Sequence, residues 1–269
     1  MAKSENNLVQ EIKKWVVNDY FTPNIKAEVI LDTLLTPYVA EIINRQGDLD
    51  TVFVTKEMSV KDVQKQTENP KYGNMGTKID YVLADADFVY LVELKTTDGS
   101  INAKQAKDYV RNCENKTFGD SFGDKLLTIM SEKTGVGLDC NVEKEKQLLK
   151  LFEDICHDVP GDSYAERGRE LLKAKVNWRS TYKYIYTMGQ LLDYLYEQDG
   201  RQKATIWDKK LKLFYITPTK TLHHQELMQH SDFYQGSVTL VDARKYLAKK
   251  IDDDFAQLLA DIITGIYGG

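Results

Sequence analysis

The sequence is short of the residues that build stapled or metal-clipped folds. Its three cysteines, Cys113, Cys140 and Cys156, are odd in number and widely spaced, which suits reduced thiols and excludes a disulfide framework. There is no CxxC pair, so a zinc ribbon or a four-cysteine iron-sulfur cluster has no ligand set. Long apolar runs are missing too: no stretch approaches the roughly 18 residues a membrane helix needs. The opening MAKSENNLVQEIKKW is polar where a secretory leader carries an apolar block. The expectation is a cytoplasmic chain with no membrane partner. Positive charge is also in deficit, with a net charge of -5, which argues against non-specific coating of nucleic acid, a mode that depends on many lysines and arginines releasing counterions. Local chemistry on nucleic acid stays open, because metal-binding carboxylates themselves push the balance negative and a local basic strip can meet phosphates.

What is present is a chain of 269 residues with 42% hydrophobic content, long enough for one large domain or a compact domain with a sizeable insertion. Leu8, Ile12, Trp15 and Val16 recur at helical spacing, and a second apolar stripe from Asn24 to Asn44 carries Ile30, Leu31, Leu34, Leu35, Tyr38 and Ile42. Pro37 should kink or split that second helix. The run TVFVT reads as a first strand, followed by the polar loop QKQTENPKYGNMG. Two further strands, Thr77 to Leu83 and Phe88 to Thr96, are joined by a short link and form a hairpin. Ser100 or Asn102 can cap a helix running to about Asn115. Residues 116–200 are mostly helical by pattern, with Pro160-Gly161 as a break, and read as an insertion. Strand character returns in KATIW and KLKLFYITP, then in SVTLV, with a short helix near Leu222 to Gln229 between and helices from Asp242 and Asp252 onward.

The chemistry gathers at the hairpin. If Leu83 pairs with Phe88, Asp80 faces Leu91 and lies diagonal to Glu93 on one face, and Lys95 shares that face two residues further on. FVYLVELKTT is apolar on both faces before it reaches Glu93, as in a covered central strand whose charged end needs a partner. A cation meets that need: two carboxylates and the backbone carbonyl of Leu94 are hard oxygen donors suited to magnesium or manganese. Such an ion acidifies a bound water and neutralises charge developing on a phosphate, while an adjacent ammonium can position the water or stabilise the transition state. The duller reading of an ExK triplet is a salt bridge at a strand end. Gln105 and Tyr109, four apart, lie on one face of the following helix.

Taken together, Ile79-Asp80, twelve residues, Glu93-Leu94-Lys95, nine residues, then Gln105-Ala106-Lys107-Asp108-Tyr109 resembles the PD-(D/E)XK nuclease superfamily, in its RecB-like branch with the QxxxY motif. The resemblance covers roughly Asn24 to Asn115. It implies an α/β restriction-endonuclease-like core, a mixed sheet flanked by helices, in a single nuclease domain over 1–269. Residues 116–200 would be a helical insertion between the second core helix and the fourth core strand, KLKLFYITP. By the same resemblance Asp80 and Glu93 are metal ligands, Lys95 is the catalytic lysine, and Gln105 and Tyr109 orient the site and the nucleic-acid backbone. Glu28 would be the acidic residue on the helix before the first strand, with Glu41 as the second choice. The implied activity is magnesium-dependent hydrolysis of DNA phosphodiester bonds, with manganese as a possible substitute and RNA not excluded. Ile79 stands where the family name has a proline, and no iron-sulfur cluster is implied because its cysteines are missing. The alternatives are a nucleic-acid-binding or assembly protein that keeps the fold without turnover, and a protein-interaction scaffold on the helical insertion.

Other features have two readings each. Arg167, Arg169, Lys173, Lys175, Arg179 and Lys183 interleave with Trp178, Tyr182, Tyr184 and Tyr186, as in a nucleic-acid track or a solvated basic helix face above core aromatics. His223, His224 and His230 lack carboxylate or cysteine partners at zinc-site spacing and read as exposed helix histidines. Leu258, Leu259, Ile262, Ile263 and Ile266 mark a helix that packs on the core.

Overall fold

Pro37 divides the first described helix, as a residue without an N–H should. The structure, a computed structural model, describes residues 27–59, 78–97, 100, 103–174, 184–197, 199–219 and 232–268. Helix α1 (Ala27–Leu35) gives way to a 3-10 turn (Thr36–Tyr38) before helix α2 (Val39–Gly47) resumes. Asp48 ends α2 in the left-handed region at φ 51°, and the Asn44 side chain then ties Thr51 by hydrogen bonds of 2.7 and 2.8 Å. The expected helix from about Asn6 to Asn18, the loop QKQTENPKYGNMG, the helix near Leu222, and His223, His224 and His230 lie outside the described residues.

Strands β1 (Val52–Ser59), β2 (Lys78–Ala84), β3 (Phe88–Leu94), β4 (Lys210–Thr217) and β5 (Tyr234–Thr239) form a 5-stranded sheet in that order. β1 and β2 are antiparallel, with a bulge between Phe53 and Thr55, and β4 and β5 are parallel. The chain is therefore α/β with a mixed sheet flanked by helices. The β2–β3 link is held by Asp85, whose Oδ1 accepts from the N–H groups of Asp87 and Phe88 and whose Oδ2 accepts from the Tyr90 hydroxyl at 2.6 Å. The Asp85 N–H donates to the Phe88 carbonyl at 3.1 Å, which closes the hairpin with Asp85 opposite Phe88 instead of Leu83 opposite Phe88. An offset of two leaves each side chain on the face expected for it.

The chain forms two compact units, one of Met1–Thr51, Val92–Ala106 and Leu213–Gly269, the other of Val52–Leu91 and Lys107–Lys212. In the first, α2 packs on β5, and helix α8 (Leu240–Leu247) packs on helix α9 (Asp254–Tyr267). SVTLV is not all strand: the Thr239 hydroxyl accepts from the Asp242 N–H at 3.0 Å and starts α8 at Leu240, which is N-capping by a β-branched hydroxyl residue. Asp253 caps α9 in the same way, accepting from Ala256 at 3.0 Å, and Leu258, Leu259, Ile262 and Ile263 are buried.

The second unit holds β1, β2 and the helical segment. A π-turn (Gly119–Gly123) leads into helix α4 (Asp124–Thr134), then α5 (Lys144–Cys156), α6 (Tyr164–Ala174) and α7 (Ile185–Leu195) follow, and α7 packs on β1. Helices α6 and α7 meet backbone to backbone. A Cβ on Gly189 would lie 2.5 Å from the Tyr164 carbonyl oxygen and 2.7 Å from the Ala165 Cα, and one on Gly168 would lie 2.8 Å from the Ile185 carbonyl oxygen. Asp193 of α7 accepts from the Tyr164 and Ala165 N–H groups at 2.8 and 3.1 Å, so a carboxylate meets the positive end of α6. Arg169 and Lys173 of the basic run bond along their own helix to Glu166 and Glu170, the solvated-helix pattern, whereas Arg167 is mostly buried and crosses to Glu153 of α5 and to the Cys156 carbonyl. Lys175, Trp178, Arg179, Tyr182 and Lys183 lie outside the described residues.

KATIW does not form the strand expected of it. Its backbone is captured instead by Glu145 at the start of α5, which is 7% exposed and accepts from the Ile206 N–H at 2.7 Å and from Gln202 Nε2 at 2.6 Å. The neighbouring Trp207 indole donates to Asp124 at 2.9 Å and fills the space above Gly119 and Gly123, where a Cβ would come within 2.5 Å of the ring. Burial pushes the Glu145 carboxyl above its ordinary value of 4.5, against the pull of the Ile206 and Trp207 amides. A folded-state value above the unfolded one means that this group's contribution is greatest below about 4.5 and is lost as pH climbs through the raised value. Glu145→Gln removes the titration. Urea unfolding of both proteins from acid to neutral pH should therefore show the stability difference moving in favour of the variant as pH rises; a pH-independent difference would refute the linkage.

Candidate active site

β3 runs buried from Val89 to Leu94, and the chain leaves the sheet at Lys95. The backbone is still anchored there, since the Lys95 N–H donates to the Ile216 carbonyl of β4 at 2.7 Å. A charged pair sits at this exit. Lys95 Nζ donates to Glu93 Oε1 at 2.6 Å, and both residues are almost enclosed, at 7% and 4% exposure. Residues i and i+2 project to the same side of an extended chain, which is why an ExK triplet can close on itself.

Gln105 completes a triangle. It lies in helix α3 (Ala103–Cys113), and its Oε1 accepts from Lys95 Nζ at 2.9 Å while its Nε2 donates to Glu93 Oε1 at 2.7 Å. Each group meets a complement: ammonium to carboxylate, ammonium to amide oxygen, amide nitrogen to carboxylate. Burying an ion pair is unfavourable unless its remaining donors and acceptors are also satisfied, and Gln105 supplies that closure. Tyr109, one helical turn on and fully buried, donates its hydroxyl to the Lys78 carbonyl at 3.1 Å, fastening α3 to the start of β2. That bond lands two residues before Asp80, which is half-buried in β2.

The triangle thus unites Glu93, Lys95 and Gln105 of the residues singled out from sequence. Leu94, the last residue of β3, is 2% exposed between the first two. Glu28 belongs to α1. Glu41 takes part in a different network, 2.7 Å from Lys250 and 3.8 Å from Arg45. Sequence reasoning missed Tyr267, whose hydroxyl donates at 2.7 Å to the carbonyl of Thr96, next to Lys95. It also missed Tyr215 of β4, whose phenol is pushed upward by burial and by the Glu93 charge. Neither carries a local sequence signal, since each reaches the strand exit from far along the chain.

The donor set discriminates among metals. Among the described residues no group of three His, Cys, Asp or Glu side chains gathers. Magnesium is held by one or two carboxylates and keeps several waters, and Glu93 with the Leu94 carbonyl is a donor pair of that kind. The Glu93 carboxylate and the Leu94 carbonyl are hard oxygen donors, the chemistry that magnesium takes. Among the described residues no helix is long and apolar enough to cross a membrane. Comparison with protein-family models, with curated proteins and with solved structures finds no match.

Proposed function

We propose that this chain is a magnesium-dependent nuclease that hydrolyses phosphodiester bonds in DNA. The observation that carries the reading is the buried Glu93-Lys95-Gln105 triangle at the exit of a central strand. A polar network of this kind fixes its members in one geometry, which is what a reaction dominated by positioning and electrostatics needs. The element order adds support: helices before β1, the β2–β3 hairpin, α3 directly after the charged exit, and KLKLFYITP as β4. That order agrees with the restriction-endonuclease-like core implied by the resemblance, and so does the QxxxY pair on α3.

In this proposal Glu93 and the Leu94 carbonyl would hold the ion together with Asp80, which enters from the sequence pattern that puts it on the Glu93 face of the ribbon. The bound magnesium, or manganese in its place, would supply an acidified water and charge neutralisation at the phosphate. The Lys95 ammonium, held by Glu93 and Gln105, directs a proton of Nζ toward the attacking water or the charge growing on phosphate oxygen. Gln105 keeps that ammonium from rotating away. Tyr109 fixes the helix that presents Gln105.

The experiment is cleavage of single- and double-stranded DNA after exhaustive EDTA treatment, with magnesium, manganese or calcium then restored. Cleavage that vanishes on chelation and returns with magnesium or manganese is the expected result. DNA binding without cleavage under every ion would instead assign the fold to a binding or assembly role.

A further inference from the structure

We infer that Tyr267 is a positioning residue for Lys95, acting from the last turn of the last helix on the backbone that carries the ammonium; the inference deepens the nuclease reading above and rests on it. Tyr267 closes α9, four residues after Ile263 and eight after Leu259, both fully buried. Helical residues at that spacing share a face, so the phenol is carried inward by the stripe that packs α9. Its hydroxyl donates to the Thr96 carbonyl at 2.7 Å.

That bond lands where the sheet stops helping. β3 ends at Leu94, the Lys95 N–H bonds to Ile216, and by Thr97 the chain has entered a turn whose carbonyl accepts from Ser100. Thr96, 8% exposed, lies between ladder and turn, where a buried backbone carbonyl needs a donor. With Ile216 holding the peptide before Lys95 and Tyr267 holding the peptide after Thr96, the backbone is fastened on both sides of Lys95. A long side chain can be aimed only as well as its Cα is fixed, and Lys95 Nζ must meet two acceptors at once.

The test is Tyr267→Phe, which keeps the ring and removes only the hydroxyl, read beside wild type and Lys95→Ala. A misplaced catalytic group slows the chemical step, so kcat should fall about tenfold with KM unchanged, while circular dichroism stays as in wild type. In parallel, the Lys95 ammonium resonance, assigned by its disappearance in Lys95→Ala, should be sharp in wild-type nitrogen-15 spectra and broadened or shifted in Tyr267→Phe. If Lys95→Ala is inactive but Tyr267→Phe matches wild type in kcat and in that resonance, the inference fails and the nuclease reading stands. If wild type cleaves nothing, the nuclease reading fails, and the ammonium resonance alone decides whether Tyr267 positions Lys95: a change supports it, none overturns it.

Discussion

Lys95→Ala is expected to lower the rate of DNA cleavage by roughly 10³-fold, a magnitude typical of losing a preorganised charge beside a reacting oxyanion. The same substitution leaves the Glu93 carboxylate enclosed without its ammonium. Breaking a buried pair from one side destabilises by about 3 kcal/mol, so the rate must be measured below the variant's melting range. Lys95→Arg separates the two effects. It restores charge to the site, but a planar guanidinium cannot reproduce the compact three-donor geometry of an ammonium; it should recover part of the stability and little of the rate. Full activity in both variants would remove Lys95 from the chemistry and leave the triangle as a fastening between β3 and α3.

A stability effect as large as that of Lys95→Ala is expected at Gly189→Ala, where one methyl must fit between the backbones of α6 and α7. The atoms it meets, the Tyr164 carbonyl oxygen at 2.5 Å and the Ala165 Cα at 2.7 Å, belong to main chain and cannot rotate aside. Overpacking of this kind costs about 3 kcal/mol, which at roughly 2–4 °C per kcal/mol corresponds to a Tm lowered by about 6–12 °C. Separation of the helices would also lengthen the Asp193 bonds to Tyr164 and Ala165. Gly137→Ala is the control, since nothing lies within 4 Å of a Cβ there. Equal melting temperatures for the two variants would show that the helices yield without loss.

The parts legible in the sequence were those governed by local covalent rules. Pro37 split its helix because a missing N–H acts wherever it falls. The short link after β2 gave the hairpin, and the i, i+2 spacing of Glu93 and Lys95 and the four-residue spacing of Gln105 and Tyr109 placed those residues on shared faces. What escaped was decided by distant partners. KATIW has strand composition, but the Leu195 carbonyl took the N–H groups of Lys203 and Ala204 and a single carboxylate from α5 took those of Ile206 and Trp207. SVTLV was cut short because Thr239 found a helix N–H to cap. The glycines of the π-turn make sense only beneath Trp207, and Tyr267 only beside Thr96; both pairings join residues more than eighty positions apart.

The partition of the chain has a consequence for its biogenesis. The polypeptide passes from one compact unit to the other after Thr51, Leu91, Ala106 and Lys212, so neither unit is a continuous stretch that a ribosome could finish and release to fold before the rest is made. The first unit stays incomplete until the residues after Leu213 emerge, and closing such long chain separations is slow. A nascent chain stalled short of its end would hold Glu93 and Lys95 without the strand and helix that later anchor their backbone, and would be a target for chaperone capture during that interval.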